Sequence, residues 1–187
     1  MKKIKVPLLL IVTLLIVLPS FSLTKGKIRV GMEGGYFAIG DVCFEPLYGT
    51  GGFTWDFNAG YMISGIIEVA AAVDFYSADG ATSIFDEDIS IDINHLRFGL
   101  AYHLSRGGLT PKVSAGLDYS WIKEDTPFGG FDDSGFGWFA GLGVEYMFAE
   151  KLLIGADIIY SSVLITGELY EEDVGGFFAM LNIKYLL

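Results

Sequence analysis

The sequence predicts an all-β protein, specifically an eight-stranded antiparallel up-and-down transmembrane β-barrel. From residue 27 onward, large apolar side chains alternate with small or polar ones, which is the two-residue period of strands with two different faces. The alternating segments are about a dozen residues long, and the connections between them are alternately long and short. No apolar run approaches the ~20 residues of a spanning helix. A membrane-embedded chain would therefore cross with strands.

Residues 1–22 are predicted to be a signal peptide and residues 23–187 the barrel domain. A basic start is followed by the apolar run Val6–Leu18 and by small residues at Ser20 and Ser22, which suit signal peptidase. The alternative is a retained anchor, but 13 apolar residues are few for crossing a hydrocarbon core about 30 Å thick. We therefore expect an exported protein of the outer membrane.

The composition limits the classes of partner and cofactor. The chain of 187 residues is 52% hydrophobic and 15% aromatic, yet it carries a net charge of -11. Without the three lysines of the signal segment, nine basic residues face 23 acidic ones, a balance that argues against nucleic acid as a partner. The single cysteine, Cys43, excludes an internal disulfide and a cysteine-based metal site. We expect no cofactor and no metal.

The alternation places each strand in turn. The second segment is typical: Phe53, Trp55 and Phe57 alternate with Thr54 and Asp56. The predicted strands lie near residues 27–39, 50–62, 65–77, 91–104, 110–122, 136–148, 151–162 and 175–187. The long connections are 40–49, 78–90, 123–135 and 163–174, and the short ones are 63–64, 105–109 and 149–150. An even strand number with tight turns at one end and long loops at the other is typical of outer-membrane barrels.

A soluble lipocalin-type barrel also alternates, but with its apolar face inside. Here the strands have the length needed to cross a bilayer at a tilt. The interior of an eight-stranded barrel is also too narrow for aromatic rings from every strand, whereas glycines and short polar residues fit there. The outward aromatics sort into two belts around an aliphatic band. The predicted girdle comprises Tyr36, Trp55, Tyr61, Tyr102, Tyr119, Trp121, Trp138, Tyr146, Tyr160 and Tyr185.

The last strand carries a family resemblance. Its apolar row runs from Phe177 to Leu187 and resembles the C-terminal signal read by the outer-membrane insertion machinery, although that signal usually ends in Phe. With segments such as 96–104 and 141–154, the chain resembles the small OmpA/OmpX-type β-barrel family over its whole mature length. The resemblance implies a monomer that contacts outer-membrane lipid, lipopolysaccharide and the insertion machinery.

The inward face carries a predicted lumen charge network. Reading heights along neighbouring strands, we expect Arg97 to lie between Asp74 and Asp118, and Lys112 to meet Glu145. One interpretation is a narrow ion path; the other, which we favour, is a structural network that fills the barrel, because side chains alone can occupy so small a lumen. The inward charges are Arg29, Glu33, Asp56, Glu68, Asp74, Arg97, Lys112, Asp118, Glu145, Asp157 and Lys184, with His95 and His103 beside them.

The string His103-Leu104-Ser105 resembles the His and Ser of outer-membrane lipid A deacylases. A nucleophilic serine requires a neighbouring base and an orienting acid. This string falls at a periplasmic turn, and the matching downstream Glu is missing. No catalytic residue is therefore assigned, and we expect His103 to lie near Glu68.

The predicted external loops are strongly acidic, with Lys123 as their only base, whereas Lys25, Lys27, Arg106 and Lys151 lie at the other end. The loops could bridge divalent cations to lipopolysaccharide, or, as we favour, simply be solvated. The segment 86–92 lacks the spacing of an EF-hand. The loop acids are Asp41, Glu45, Asp79, Asp86, Glu87, Asp88, Asp92, Glu124, Asp125, Asp132, Asp133, Glu168, Glu171, Glu172 and Asp173.

Three functions are compatible with these observations. The first is a non-enzymatic membrane scaffold whose loops serve surface interaction, adhesion or envelope integrity. The second is a narrow channel or conduit of the OmpW type. The third, least favoured, is a lipid A-modifying enzyme.

Overall fold

The computed structural model describes residues 26–40, 45–81, 88–104, 108–127, 129–166 and 171–187, so the predicted signal peptide lies outside the described residues. A single helical turn, α1 (Glu45–Tyr48), lies between the first two strands. Within the described ranges, no helix is long and apolar enough to cross a membrane. The strands are β1 (Ile28–Ile39), β2 (Gly51–Met62), β3 (Ile67–Ala81), β4 (Asp88–His103), β5 (Leu109–Thr126), β6 (Gly129–Ala149), β7 (Leu152–Thr166), β8 (Glu171–Asp173) and β9 (Gly176–Leu186).

The strands close into an antiparallel barrel. Each of β1 to β7 pairs with its neighbour in sequence, and β9 pairs with both β7 and β1. The short β8 continues the register of β9 along β7, since Asp173 faces Leu164 and Gly176 faces Ser161. The two segments thus form one barrel strand, and closure removes the exposed edges of an open sheet. The predicted eight-stranded barrel is confirmed.

The strands β3 to β7 extend further at the long-loop end than predicted. The connection between β5 and β6 is only residues 127–128, so the predicted loop 123–135 is wrong; the predicted loops 78–90 and 163–174 are also too long. The period continues there with its polarity reversed: Ile91 and Ile122 are buried inside, while Asp92 and Lys123 are exposed outside. Beyond the bilayer the outer face of the wall meets water, so polar residues outside and apolar ones inside are expected.

Two apolar clusters occupy the barrel interior, one near each end. At the short-turn end, Met62, Leu153 and Leu186 form the inner apolar cluster. The expectation that glycines and short polar residues fill the lumen is therefore incomplete, because the outer half holds large side chains. This outer apolar cluster comprises Phe37, Tyr48, Tyr76, Ile89, Ile91, Ile93, Ile122, Phe139, Ile159, Val163, Ile165, Val174, Phe178 and Met180.

The outward face of the wall is apolar along the strands. Leu117, Phe136, Leu142 and Leu181 are each at least 65% exposed, which is unusual for a soluble protein and normal for a wall that faces lipid. All ten predicted girdle residues lie on this outward face. Tyr119, Trp121 and Tyr160 are half-buried, and Tyr119 and Tyr160 pack against Phe136 and Phe177 at ring-centroid distances of 4.7 Å and 4.8 Å.

Candidate functional site in the barrel interior

The charged residues predicted for the lumen lie between the two apolar clusters. The two-residue period turns each of these side chains inward, and none is more than 7% exposed. They are Arg29, Glu33, Asp56, Glu68, Asp74, His95, Arg97, His103, Lys112, Asp118, Glu145, Asp157 and Lys184.

Glu145 on β6 is the centre of the inner part of this network. Lys112 Nζ and Lys184 Nζ each donate to Glu145 Oε1 at 3.1 Å. Arg29 donates to the other carboxylate oxygen. The predicted contact between Lys112 and Glu145 is thus present, and one buried carboxylate holds three cations.

Two further carboxylates complete this arrangement. Lys112 Nζ lies 3.0 Å from Asp157, and Lys184 Nζ lies 3.3 Å from Glu33. Gly143 stands between Lys112 and Asp157 in the cross-strand row, and a Cβ at this glycine would collide with both side chains. Glycine at this position therefore leaves the space through which the two charges meet.

His103 belongs to the same group. Its Nε2 lies 2.8 Å from Glu68 Oε2, as predicted, and Arg29 Nη1 donates to the same oxygen at 2.5 Å. The imidazole is fully buried. Ser105, the serine of the predicted H-x-S string, lies outside the described residues. The contacts of His103 thus place it within the ion-pair network.

Arg97 forms the upper part of the network, with one partner that differs from the prediction. Its Nε donates to Asp74 Oδ2 at 2.8 Å, and its Nη2 lies 3.2 Å from Asp56 Oδ2. Of the two expected neighbours, Asp74 is bonded to Arg97, whereas Asp118 faces Arg97 directly in the ladder but is not its hydrogen-bond partner. Asp118 bonds to His95 and Ser161 instead. The guanidinium leans toward β2 and β3.

His95 joins the charges to the outer apolar cluster. Its Nδ1 lies 3.1 Å from Asp118 Oδ2 and 2.6 Å from Ser120 Oγ, and Ser161 also donates to Asp118. A catalytic triad places the serine and the acid on opposite ring nitrogens, whereas here both meet Nδ1. His95 and both serines are fully buried. Sequence reasoning missed the two serines, although both occupy inward positions of the alternation.

Aromatic rings cover this polar group on its outer side. Phe37 and Phe178 stack at 4.4 Å and both meet the His95 ring edge-on, at 5.5 Å and 5.2 Å. The Phe178 ring also lies 5.0 Å from the Arg97 guanidinium carbon, within the range of a cation–π contact. Apolar rings thus lie directly on the outer side of the outermost charged layer.

A small cavity of about 70 Å³ lies beside the network, and its charged lining includes Glu33, Asp56, Asp157, Lys112 and Lys184. This is room for a few water molecules. Among the described residues, no group of three or more His, Cys, Asp or Glu side chains could hold a metal ion.

Several acids predicted as solvated loop residues are part of the folded wall. Tyr48 on α1 donates to Glu124 at 2.5 Å, and burial together with this bond raises the pKa of the Tyr48 phenol. Asp173 accepts the backbone N–H groups of Val163 and Gly175, both at 2.9 Å. The interpretation of these two acids as purely solvated is wrong. Of the others, Asp41, Asp86, Glu87 and Glu168, and the side chains of Glu45, Asp88 and Glu171, lie outside the described residues.

Residues 8–176 match the family described as the outer membrane protein beta-barrel domain. The chain belongs to this family. Its members are outer-membrane barrels, which agrees with the lipid-facing wall and confirms the predicted class. No curated protein sequence matches this chain significantly.

Solved structures share the fold at low sequence identity. Neisserial surface protein A is similar with a TM-score of 0.68 and 15% identity over 86% of this chain and 99% of its own. OprG from Pseudomonas aeruginosa gives 0.66 and 13%, covering 90% and 99%. Ail of Yersinia pestis, solved with the heparin analogue sucrose octasulfate, gives 0.59 and 14%, covering 88% and 100%. These likenesses support the fold alone.

Proposed function

We propose that the protein is a non-enzymatic outer-membrane barrel that acts as a membrane scaffold and presents an acidic extracellular end for surface interaction, adhesion or envelope integrity. This proposal is carried by the order in which three layers of side chains fill the lumen. The inner apolar cluster, the ion-pair network and the outer apolar cluster follow one another along the barrel. A solute would have to displace all three layers.

The charged layer supports the scaffold role. Buried charges are costly unless they are paired, and removal of one partner leaves the others uncompensated. Here Glu145, Glu68 and Asp74 each contact at least one arginine or lysine. With the pairs Arg97–Asp56 and Lys112–Asp157, the network links all eight strands of the barrel across the lumen and favours one closed arrangement.

The same proposal includes the partners of the barrel. The wall contacts outer-membrane lipid and lipopolysaccharide, and the chain acts as a monomer. The burial of β9 alternates without a break from Gly176 to Leu186, which gives the insertion machinery a regular apolar face to bind. Ail was solved with a sulfated sugar; the acidic outer end of this chain would repel such a polyanion, so we propose a different class of ligand.

The narrow channel is the second candidate, and the small charged cavity is the observation that favours it. Conductance in planar bilayers distinguishes the two. The purified, folded protein, identified by its different migration on SDS gels before and after boiling, should produce no conductance steps. A porin of about 16 strands, whose lumen is an aqueous channel, serves as the control for detection in the same bilayers. Reproducible steps from the wild-type barrel would contradict the scaffold proposal.

A further inference from the structure

A groove lies on the outward face of β4, β5 and β6, at the end of the wall where the outward side chains become polar. Its volume is about 520 Å³. The aromatic part of its lining consists of Tyr119 and Trp121, two residues apart on β5, with ring centroids 6.0 Å apart. Both rings are half-buried on the outward face. The two neighbouring rings form a platform. Within the part of the chain that the structure describes, this platform is open to the outside.

Hydrogen-bonding side chains flank this platform on both sides. The register places Asn94 of β4 and Ser134 of β6 directly opposite Trp121. The next row outward consists of Asp92, Lys123 and Asp132. All these side chains line the groove. The rings are thus framed by an amide, a hydroxyl and carboxylates.

The charges of the groove indicate the kind of ligand it would accept. Lys123 Nζ donates to Asp125 at 2.6 Å, and this bond and the charge of Asp125, together with Asp132 and Asp92, raise the pKa of Lys123. Three carboxylates therefore surround one ammonium that is already engaged. Phosphate or sulfate groups would be repelled, whereas carboxylates accept hydrogen bonds from neutral hydroxyl groups.

A sugar ring has both of the properties that this groove selects. Its C–H face stacks on the negative face of an aromatic ring, and its hydroxyl groups donate to carboxylate and amide oxygens at the edge. On the side toward the bilayer, Leu96 and Phe136 flank Tyr119 and continue the surface as an apolar wall. An acyl chain attached to the sugar can lie against that wall.

We propose that this groove binds the uncharged sugar headgroup of a glycolipid in the outer leaflet, with the headgroup on Tyr119 and Trp121 and the acyl chains along Leu96 and Phe136. This inference specifies the ligand class of the surface interaction proposed above and rests on that proposal. An uncharged sugar headgroup is a ligand that the negative charge of the outer end does not repel.

The test compares lipid binding by the full folded barrel in phosphatidylcholine nanodiscs containing either digalactosyl diacylglycerol or phosphatidylglycerol, measured by native mass spectrometry. We expect selective retention of the galactolipid. Trp121→Ala should weaken this binding about tenfold, which corresponds to the loss of one stacking contact. Trp138→Ala is the matched control, because Trp138 is also an outward tryptophan but is not part of the groove.

A second variant, Asp92→Asn with Asp132→Asn, tests the carboxylates without removing a ring. It should lower galactolipid retention and raise that of phosphatidylglycerol. Equal losses from Trp121→Ala and Trp138→Ala, or no preference for the galactolipid, would overturn the proposal. Equal binding of the free digalactoside would reject a membrane source for the sugar. Conductance tests the scaffold separately, so a closed barrel without galactolipid binding would refute only this inference.

Discussion

The inner and outer halves of the barrel interior are filled by different chemistry. In the inner half, Arg29, Lys112 and Lys184 converge on Glu145, whereas in the outer half Phe37 and Phe178 stack among isoleucines. The wall differs as well, since it faces lipid along one part and water along the other. The same two-residue period thus puts apolar residues outside within the bilayer and inside beyond it.

The difference between the halves predicts how each responds to a lost side chain. A missing carboxylate in the inner half leaves charges without partners, and relaxation cannot supply new ones. A missing ring in the outer half leaves a cavity that neighbouring side chains can partly fill.

The largest effect is expected from Glu145→Ala, which leaves Arg29, Lys112 and Lys184 without their shared carboxylate. We expect a loss of about 5 kcal/mol, the upper end for a broken buried pair. Urea unfolding in lipid vesicles, followed by tryptophan fluorescence, measures the change. Glu145→Gln keeps the volume and removes the charge, so it should be nearly as destabilising; a loss below about 1 kcal/mol for either variant would refute the structural role of the network.

A smaller effect is expected from Phe178→Ala in the outer apolar cluster. The ring stacks on Phe37 and meets His95 edge-on. Its removal should cost about 3 kcal/mol, because the surrounding aliphatic side chains close part of the cavity. The same unfolding measurement applies, with Phe178→Leu as a milder control. A loss of stability greater than that of Glu145→Ala would contradict the expectation that the inner half is the more sensitive of the two.

The inner apolar cluster should be less sensitive still. Met62→Ala removes a fully buried side chain, but within the described part of the chain its buried apolar companions in this cluster are Leu153 and Leu186 alone. We expect a loss of about 2 kcal/mol, near the lower limit for such truncations. Met62→Leu should restore most of the stability in the same assay; failure to do so would mean that volume is not what this cluster provides.

No measurable change in stability is expected from Lys123→Gln. The pair with Asp125 lies on the exposed face beyond the bilayer, where water and salt screen it. The folded protein is recognised by its different migration on SDS gels before boiling. The temperature at which this folded form is lost is compared between Lys123→Gln and Met62→Ala. A destabilisation as large as that of Met62→Ala would show that the charge of Lys123 on the outer face contributes to the stability of the barrel.

The sequence predicted the barrel well because the two-residue period marks each strand and its inward charges, and the count of alternating segments gives the strand number. The contacts of Lys112 with Glu145 and of His103 with Glu68 also followed from counting along neighbouring strands. The contact of Arg97 with Asp74 was expected as well, but its contact with Asp56 could not be obtained in this way. A long side chain leans along the sheet, so Arg97 reaches Asp56, two strands away, rather than Asp118 directly opposite.

The ends of β5 and β6 were misjudged for a different reason. Asp132 and Lys123 suggested loops, because polar residues were expected inside the barrel rather than outside it. Ser120 and Ser161 were not singled out, since a serine at an inward position reveals its partner only once His95 and Asp118 are placed.

Closure of the lumen at both ends can be measured by the reactivity of a cysteine at Ser114, which lines the internal cavity. In a Cys43→Ser background, Ser114→Cys and the exposed Ser134→Cys are treated with a membrane-impermeant thiol reagent in folded, vesicle-embedded protein. Ser134→Cys should react rapidly, and Ser114→Cys should react only after unfolding. Comparable rates for the two cysteines would show that the interior is open to solutes and would contradict the closed barrel.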